Sequence, residues 1–75
     1  SMPLPIINGT PGNDTLIAPS GGATLFGFDG NDLLAGRESG DSMAGNNGND
    51  LLYGYGGNDT LRGGAGNDYL NAGEG

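Results

Sequence analysis

Aliphatic residues recur along this chain at a spacing of nine. Leu16, Leu25, Leu34, Met43, Leu52, Leu61 and Leu70 hold the eighth position of seven nonapeptides that run from Gly9 to Asn71 without insertion or deletion. The nonapeptides are GTPGNDTLI, APSGGATLF, GFDGNDLLA, GRESGDSMA, GNNGNDLLY, GYGGNDTLR and GGAGNDYLN. Columns one to six, rich in Gly, Asn and Asp, read as a turn, and columns seven to nine, centred on an aliphatic, read as a short strand. Side chains alternate along a strand, so column eight faces a core while columns seven and nine face out. A helix is excluded because nothing recurs at three or four, and so much glycine would cost a helix about 1 kcal/mol per site.

Nine residues that turn once and lay down one strand make half a coil, so two repeats complete a coil of eighteen. The expected result is an all-β fold of two parallel sheets, one from alternate repeats and one from the rest. One core column stacks Leu16, Leu34, Leu52 and Leu70, and the other stacks Ile7, Leu25, Met43 and Leu61. Met2-Pro3-Leu4-Pro5 is an extended lead-in, since proline fixes φ and restricts its predecessor. Ile6-Ile7-Asn8 follows in phase as a capping strand. Residues 1–8, beginning with Ser1-Met2 as an expression remnant, therefore precede a repeat unit at 9–75 that closes with a partial eighth repeat, AGEG. The chain reads as a piece of a longer protein.

Composition narrows the chemistry. At 75 residues a hydrophobic core alone is marginal. Eighteen glycines would suggest disorder, but they are phased with the leucines and so are structural. The chain has no cysteine, histidine or lysine, which removes disulfides and the usual general base, zinc ligand and Schiff-base residues. A non-catalytic module is expected. The net charge is −7, with only Arg37 and Arg62 basic, so nucleic acid and anionic membranes are repelled and cations are the natural partner. No apolar run reaches membrane-spanning length.

The acids are ordered too. Six stand in column six as Asp14, Asp32, Asp41, Asp50, Asp59 and Asp68, where only Ala23 breaks the series; the other three, Asp29, Glu38 and Glu74, stand in column three. Residues eighteen apart would stack at roughly 4.8 Å, the spacing of paired strands. Calcium takes oxygen ligands at about 2.3–2.6 Å, so one ion between two coils can accept oxygen from both. Glycine permits φ > 0 and lets carbonyls approach an ion. Without nitrogen or sulfur ligands, zinc and copper fit poorly. Magnesium prefers a tighter, wetter octahedron.

These columns, GxxGNDxLx over residues 9–71, resemble the nonapeptide repeat of the RTX (hemolysin-type calcium-binding) family. The resemblance implies a right-handed parallel β-roll with calcium in the turns, held between repeats n and n+2. Carbonyls of columns one and three with the aspartate of one turn would face carbonyls of columns two and four with the aspartate of the next. One site would join Gly9, Pro11 and Asp14 to Phe28, Gly30 and Asp32. A second would join Gly27, Asp29 and Asp32 to Asn46, Gly48 and Asp50. A third would join Gly45, Asn47 and Asp50 to Gly64, Gly66 and Asp68. On the opposite edge, Gly36, Glu38 and Asp41 would face Tyr55, Gly57 and Asp59. Ala18 and Ala23 depart from the pattern, as does Ser39 in column four, so the junction between repeats 18–26 and 36–44 is expected to lack a good site. That leaves about four ions, with half-sites near Asp59 and Asp68.

The resemblance also implies a secreted bacterial protein exported by type I secretion, with a module that folds on meeting extracellular calcium. Outward residues Leu33, Leu51 and Tyr69, with Ile17 and Tyr53 beside them, make an apolar ladder expected to contact the parent protein or a second copy. The alternative is an extracellular binding module, with Tyr53, Tyr55 and Tyr69 as a polysaccharide platform. An EF-hand is excluded because ligands do not alternate before a glutamate. Phosphate-cradling glycine motifs are missing, and acids repeated along the whole chain are unlike a single catalytic pair.

Overall fold

A computed structural model describes residues 4–73. Ser1-Met2 and the end of the partial eighth repeat, including Glu74, lie outside the described residues. Eight strands of three residues follow the predicted triplets: β1 (Ile6–Asn8), β2 (Thr15–Ile17), β3 (Thr24–Phe26), β4 (Leu33–Ala35), β5 (Ser42–Ala44), β6 (Leu51–Tyr53), β7 (Thr60–Arg62) and β8 (Tyr69–Asn71). Odd strands form one parallel sheet in the order β1-β3-β5-β7, and even strands form the other, β2-β4-β6-β8. The result is a β-solenoid of about four coils.

The register is eighteen residues throughout. Leu16 pairs with Leu34, Leu34 with Leu52 and Leu52 with Leu70; Ile7 pairs with Leu25, Leu25 with Met43 and Met43 with Leu61. Both expected core columns are therefore present, meeting between the sheets. Their centre is sealed: Leu25, Leu34 and Leu52 are fully buried and Met43 nearly so. At the ends burial declines. Ile7, Leu16 and Leu61 are half-covered, and Leu70 is 43% exposed with only Leu52 beside it in register.

Two departures from simple alternation stand out. Ala35, in outward column nine, is buried between its register partners Ile17 and Tyr53. Ala18 and Ala23, in turn columns one and six, are buried in the core cluster with Leu25, Leu34, Met43 and Leu52. Small apolar residues in those turn positions extend the core where a carboxylate would otherwise stand.

Hydrogen bonds carry the pairing into the turns. The column-seven amide of each coil donates to the column-six carbonyl of the coil before it, as in Leu33 to Asp14 (2.8 Å) and Leu51 to Asp32 (2.8 Å). Column-one amides donate the other way, as in Gly9 to Phe26 (2.7 Å) and Gly27 to Ala44 (2.8 Å). Each turn is thereby clamped at both ends to its neighbours, which fixes where its side chains point.

Candidate metal centre

The column-six aspartates stack into two rows, one on each edge of the roll. Their carboxylates do not merely repel. Beyond the first coil each Oδ1 accepts the main-chain N–H of the column-six residue one coil earlier: Asp32 from Asp14, Asp50 from Asp32, Asp68 from Asp50 and Asp59 from Asp41, each at 2.8 Å. Asp14 instead accepts from Thr10 N at 2.7 Å through Oδ2. On the second edge Asp41 accepts from Ala23 at 2.9 Å. Oδ1 is thus spent on the fold, and Oδ2 also accepts a main-chain N–H in Asp14 (from Thr10) and Asp41 (from Arg37).

The Oδ2 atoms differ from turn to turn. In Asp32, Asp50 and Asp59 this oxygen is buried and has no hydrogen-bond partner. A buried unpaired carboxylate oxygen costs several kcal/mol in a low-dielectric setting unless something compensates it. Burial accordingly pushes Asp32, Asp50 and Asp59 above the ordinary carboxylate range, as the largest cause in each. Neighbouring aspartate charges push the same way: Asp50 and Asp14 on Asp32, Asp68 on Asp50 and Asp41 on Asp59. The main-chain donors partly oppose these shifts. A bound cation opposes these shifts by supplying the opposite charge to which Oδ2 can coordinate.

Column-one glycines are required for space rather than for φ. A Cβ on Gly27 would stand 2.6 Å from Asp32 Oδ2 and 3.1 Å from the Gly45 carbonyl; on Gly9 it would meet Asp14 Oδ2 at 2.7 Å and the Gly27 carbonyl at 2.9 Å. Gly36, Gly45, Gly54 and Gly63 repeat the arrangement with Asp41, Asp50, Asp59 and Asp68. The carboxylate lies in a cradle that a methyl group would fill.

Left-handed backbone falls in columns two and four instead, apart from Gly22 (φ 92°) in column five of the 18–23 turn. Phe28, Asn46 and Tyr55 have φ of 65°, 68° and 64°, and Gly30, Gly48, Gly57, Gly64 and Gly66 have φ of 82–101°. For Phe28 and Tyr55 this conformation costs about 1–2 kcal/mol each, so the surrounding turn must enforce it. The eight residues are the column-two and column-four members of the four expected sites. In the 36–41 turn, Arg37 and Ser39 lack this conformation. The junction between turns 18–23 and 36–41 is therefore built differently from the four others.

The fourth expected site, on the second edge, is less regular than its counterparts. Gly30 faces the carbonyl of Gly12, and Gly48 and Gly66 face those of Gly30 and Gly48, all in column four. Gly57 faces the carbonyl of Glu38 at 2.8 Å from where a Cβ would sit, one column earlier. The irregular 36–41 turn shifts the contact by one residue. Pro11, Asp29 and Asn47 line the tips of the first edge, where Asn47 Nδ2 donates to Asp29 Oδ1 at 2.9 Å. Among the described residues no three carboxylate, imidazole or thiol side chains converge on one point. A cation at a junction would draw largely on carbonyl oxygen, as calcium does.

Two features had no recognised signal in the repeat. Column-five asparagines form a ladder on the first edge: Asn13 Oδ1 accepts from Asn31 N, Asn31 from Asn49 and Asn49 from Asn67, at 2.7, 2.7 and 2.8 Å. It runs opposite in direction to the aspartate ladder beside it, and the constant Asn before each Asp was its only trace. Arg37 and Ser39 also reach across the irregular junction, considered below.

A parallel β-solenoid whose turns bury stacked, unsatisfied carboxylates belongs to the class that holds cations between its coils. The family model of the RTX calcium-binding nonapeptide repeat, in four copies, matches residues 8–43, 26–61 and 44–75. The chain belongs to that family, and it is a calcium-binding RTX repeat β-roll. Repeats of this family belong to secreted bacterial proteins. No curated protein and no solved structure matches the chain. Among the described residues no helix is long and apolar enough to cross a membrane.

Proposed function

We propose that this chain is a non-catalytic module that folds when calcium binds between its coils and so couples folding to export from the bacterial cell. About four ions are held, three along the Asp14-Asp32-Asp50-Asp68 edge and one between Asp41 and Asp59. The observation carrying this reading is a coincidence. Each of those four junctions contains at least one buried, partnerless aspartate Oδ2 together with left-handed residues in columns two and four of the later turn. Neither feature is needed by a solenoid as such. Four divalent ions would also more than offset the net charge of −7. Eight core aliphatics fall far short of the entropy of ordering 75 residues, so stabilisation by bound ions matters to this fold. Low cytosolic calcium then keeps the chain unfolded for type I secretion, and extracellular calcium folds it outside.

Circular dichroism during a calcium titration tests this. Strand signal should rise with calcium and vanish in excess chelator; signal that persists unchanged in chelator would sink the proposal.

A second reading rests on the outer face. Leu33, Leu51 and Tyr69 stand in register, and Tyr53 lies with ring centroids 6.2 Å from Tyr55 and 5.8 Å from Tyr69. Half-exposed tyrosines in such a cluster suit a polysaccharide platform, while the aliphatic part suits the parent protein or a second copy. Glycan titration of the calcium-loaded form, followed by tyrosine fluorescence, separates these uses.

A further inference from the structure

The junction between turns 18–23 and 36–41 departs from the other four in several concerted ways. Ala23 replaces aspartate, and Ala18 places a Cβ where the other turns hold the carboxylate. The Arg37 guanidinium crosses from the later coil and donates through Nε to the Ala18 carbonyl at 2.8 Å. Ser39 Oγ donates to the Ser20 carbonyl at 2.9 Å. Ala18 and Ser20 are columns one and three of the earlier turn, the carbonyls that at a regular junction are expected to face calcium. Among the described residues, no other turn carbonyl receives a side-chain donor from the next coil.

Asp41 Oδ1 accepts from Ala23 N at 2.9 Å, and its Oδ2 accepts from Arg37 N at 3.3 Å as Asp14 Oδ2 does from Thr10 N at 2.7 Å. A Cβ at column one, a missing carboxylate, filled carbonyls and a fixed positive charge all oppose a divalent ion here. We infer that this junction takes no calcium and that the Arg37 guanidinium occupies the cation's place, giving the roll one rung clamped by its own side chains. The inference rests on the reading that the regular junctions bind calcium. A fixed cation makes this rung indifferent to calcium concentration, so it sets a boundary to the metal-bound stack on the second edge.

Counting ions by native mass spectrometry at saturating calcium tests it, using the full chain and the variant Ala18→Gly/Ala23→Asp/Arg37→Asn/Ser39→Gly. The variant rebuilds the regular turn and should carry one more ion than the parent chain. An equal count with the variant folded would overturn the inference. If the parent chain carried no ion at all, the calcium reading itself would fail instead.

Arg37→Gln provides a second measure that does not need the rebuilt turn. It keeps a donor but removes the charge, so the ion count should stay the same while the calcium-saturated thermal midpoint falls by about 4–8 °C. Arg37→Lys should recover part of that loss. An Arg37→Gln chain that keeps its midpoint would mean the guanidinium is not the clamp.

Discussion

The two edges of the roll follow one repeat with opposite consistency. The first edge carries aspartate at 14, 32, 50 and 68, an unbroken asparagine ladder beside it, and left-handed columns two and four in each turn from Phe28 onward. The second edge carries Ala23, Asp41 and Asp59, has no such ladder, and relies on Arg37 and Ser39 at its first junction. Both edges support sheets of the same register. Strand pairing is therefore independent of what fills the turns. The turn chemistry decides what each rung needs from solution.

The largest expected effect comes from an aspartate shared by two junctions. Asp50 belongs to the sites on either side of it, so Asp50→Asn should weaken two ions. At calcium 100 times the dissociation constant, each lost ion costs about 2.7 kcal/mol, which chemical denaturation in saturating calcium would read as twice that. Ala23→Asn, in the clamped junction, should cost no ion. Equal losses at the two positions would erase the difference between the edges.

Adding a methyl group should discriminate next. Gly27→Ala drives a Cβ to 2.6 Å from Asp32 Oδ2, and overpacking of this kind costs about 1–3 kcal/mol. The reverse change, Ala18→Gly, removes a buried methyl worth about 0.8 kcal/mol. Thermal midpoints in saturating calcium should separate the pair.

Acid provides a third comparison. The folded, metal-free chain raises Asp32, Asp50 and Asp59 above their unfolded value of 3.8, so the folded state binds more protons and loses stability as pH rises through the raised range. In chelator, lowering the pH from neutral into that range should therefore increase strand content. In calcium the sign reverses, because protons compete with the ion. A chelated chain that gains no strand on the same acidification would contradict the burial of these oxygens.

The smallest effect is expected at the asparagine ladder. Asn31→Ala removes one acceptor and should cost about 1 kcal/mol, whereas Asn58→Ala, on the edge without a ladder, should be close to neutral by denaturant midpoint.

Most of the architecture is legible in the sequence. A leucine every nine residues, with nothing at three or four, is enough to place all eight strands, both sheets and both core columns. The aspartate column was legible because its acids never stray into strand positions. What periodicity cannot express is how a broken column is repaired. Ala18 and Ala23 looked only like losses, yet together they move that turn into the core. Arg37 sits in the variable second column, where residue type carries no pattern, and only the backbone path brings it to Ala18. Glycine was legible as a need but not as a reason: column one requires space for Oδ2, while columns two and four require positive φ, which Phe28 and Tyr55 adopt without being glycine.

The central claim is that the buried aspartate oxygens require a cation to be kept in place. Hydrogen exchange at the amides of Asp14, Asp32, Asp41 and Asp50, each bonded to a carboxylate of the next coil, tests it most directly. These amides should gain protection as calcium is titrated in and lose it in excess chelator. Equal protection with and without calcium would contradict the account.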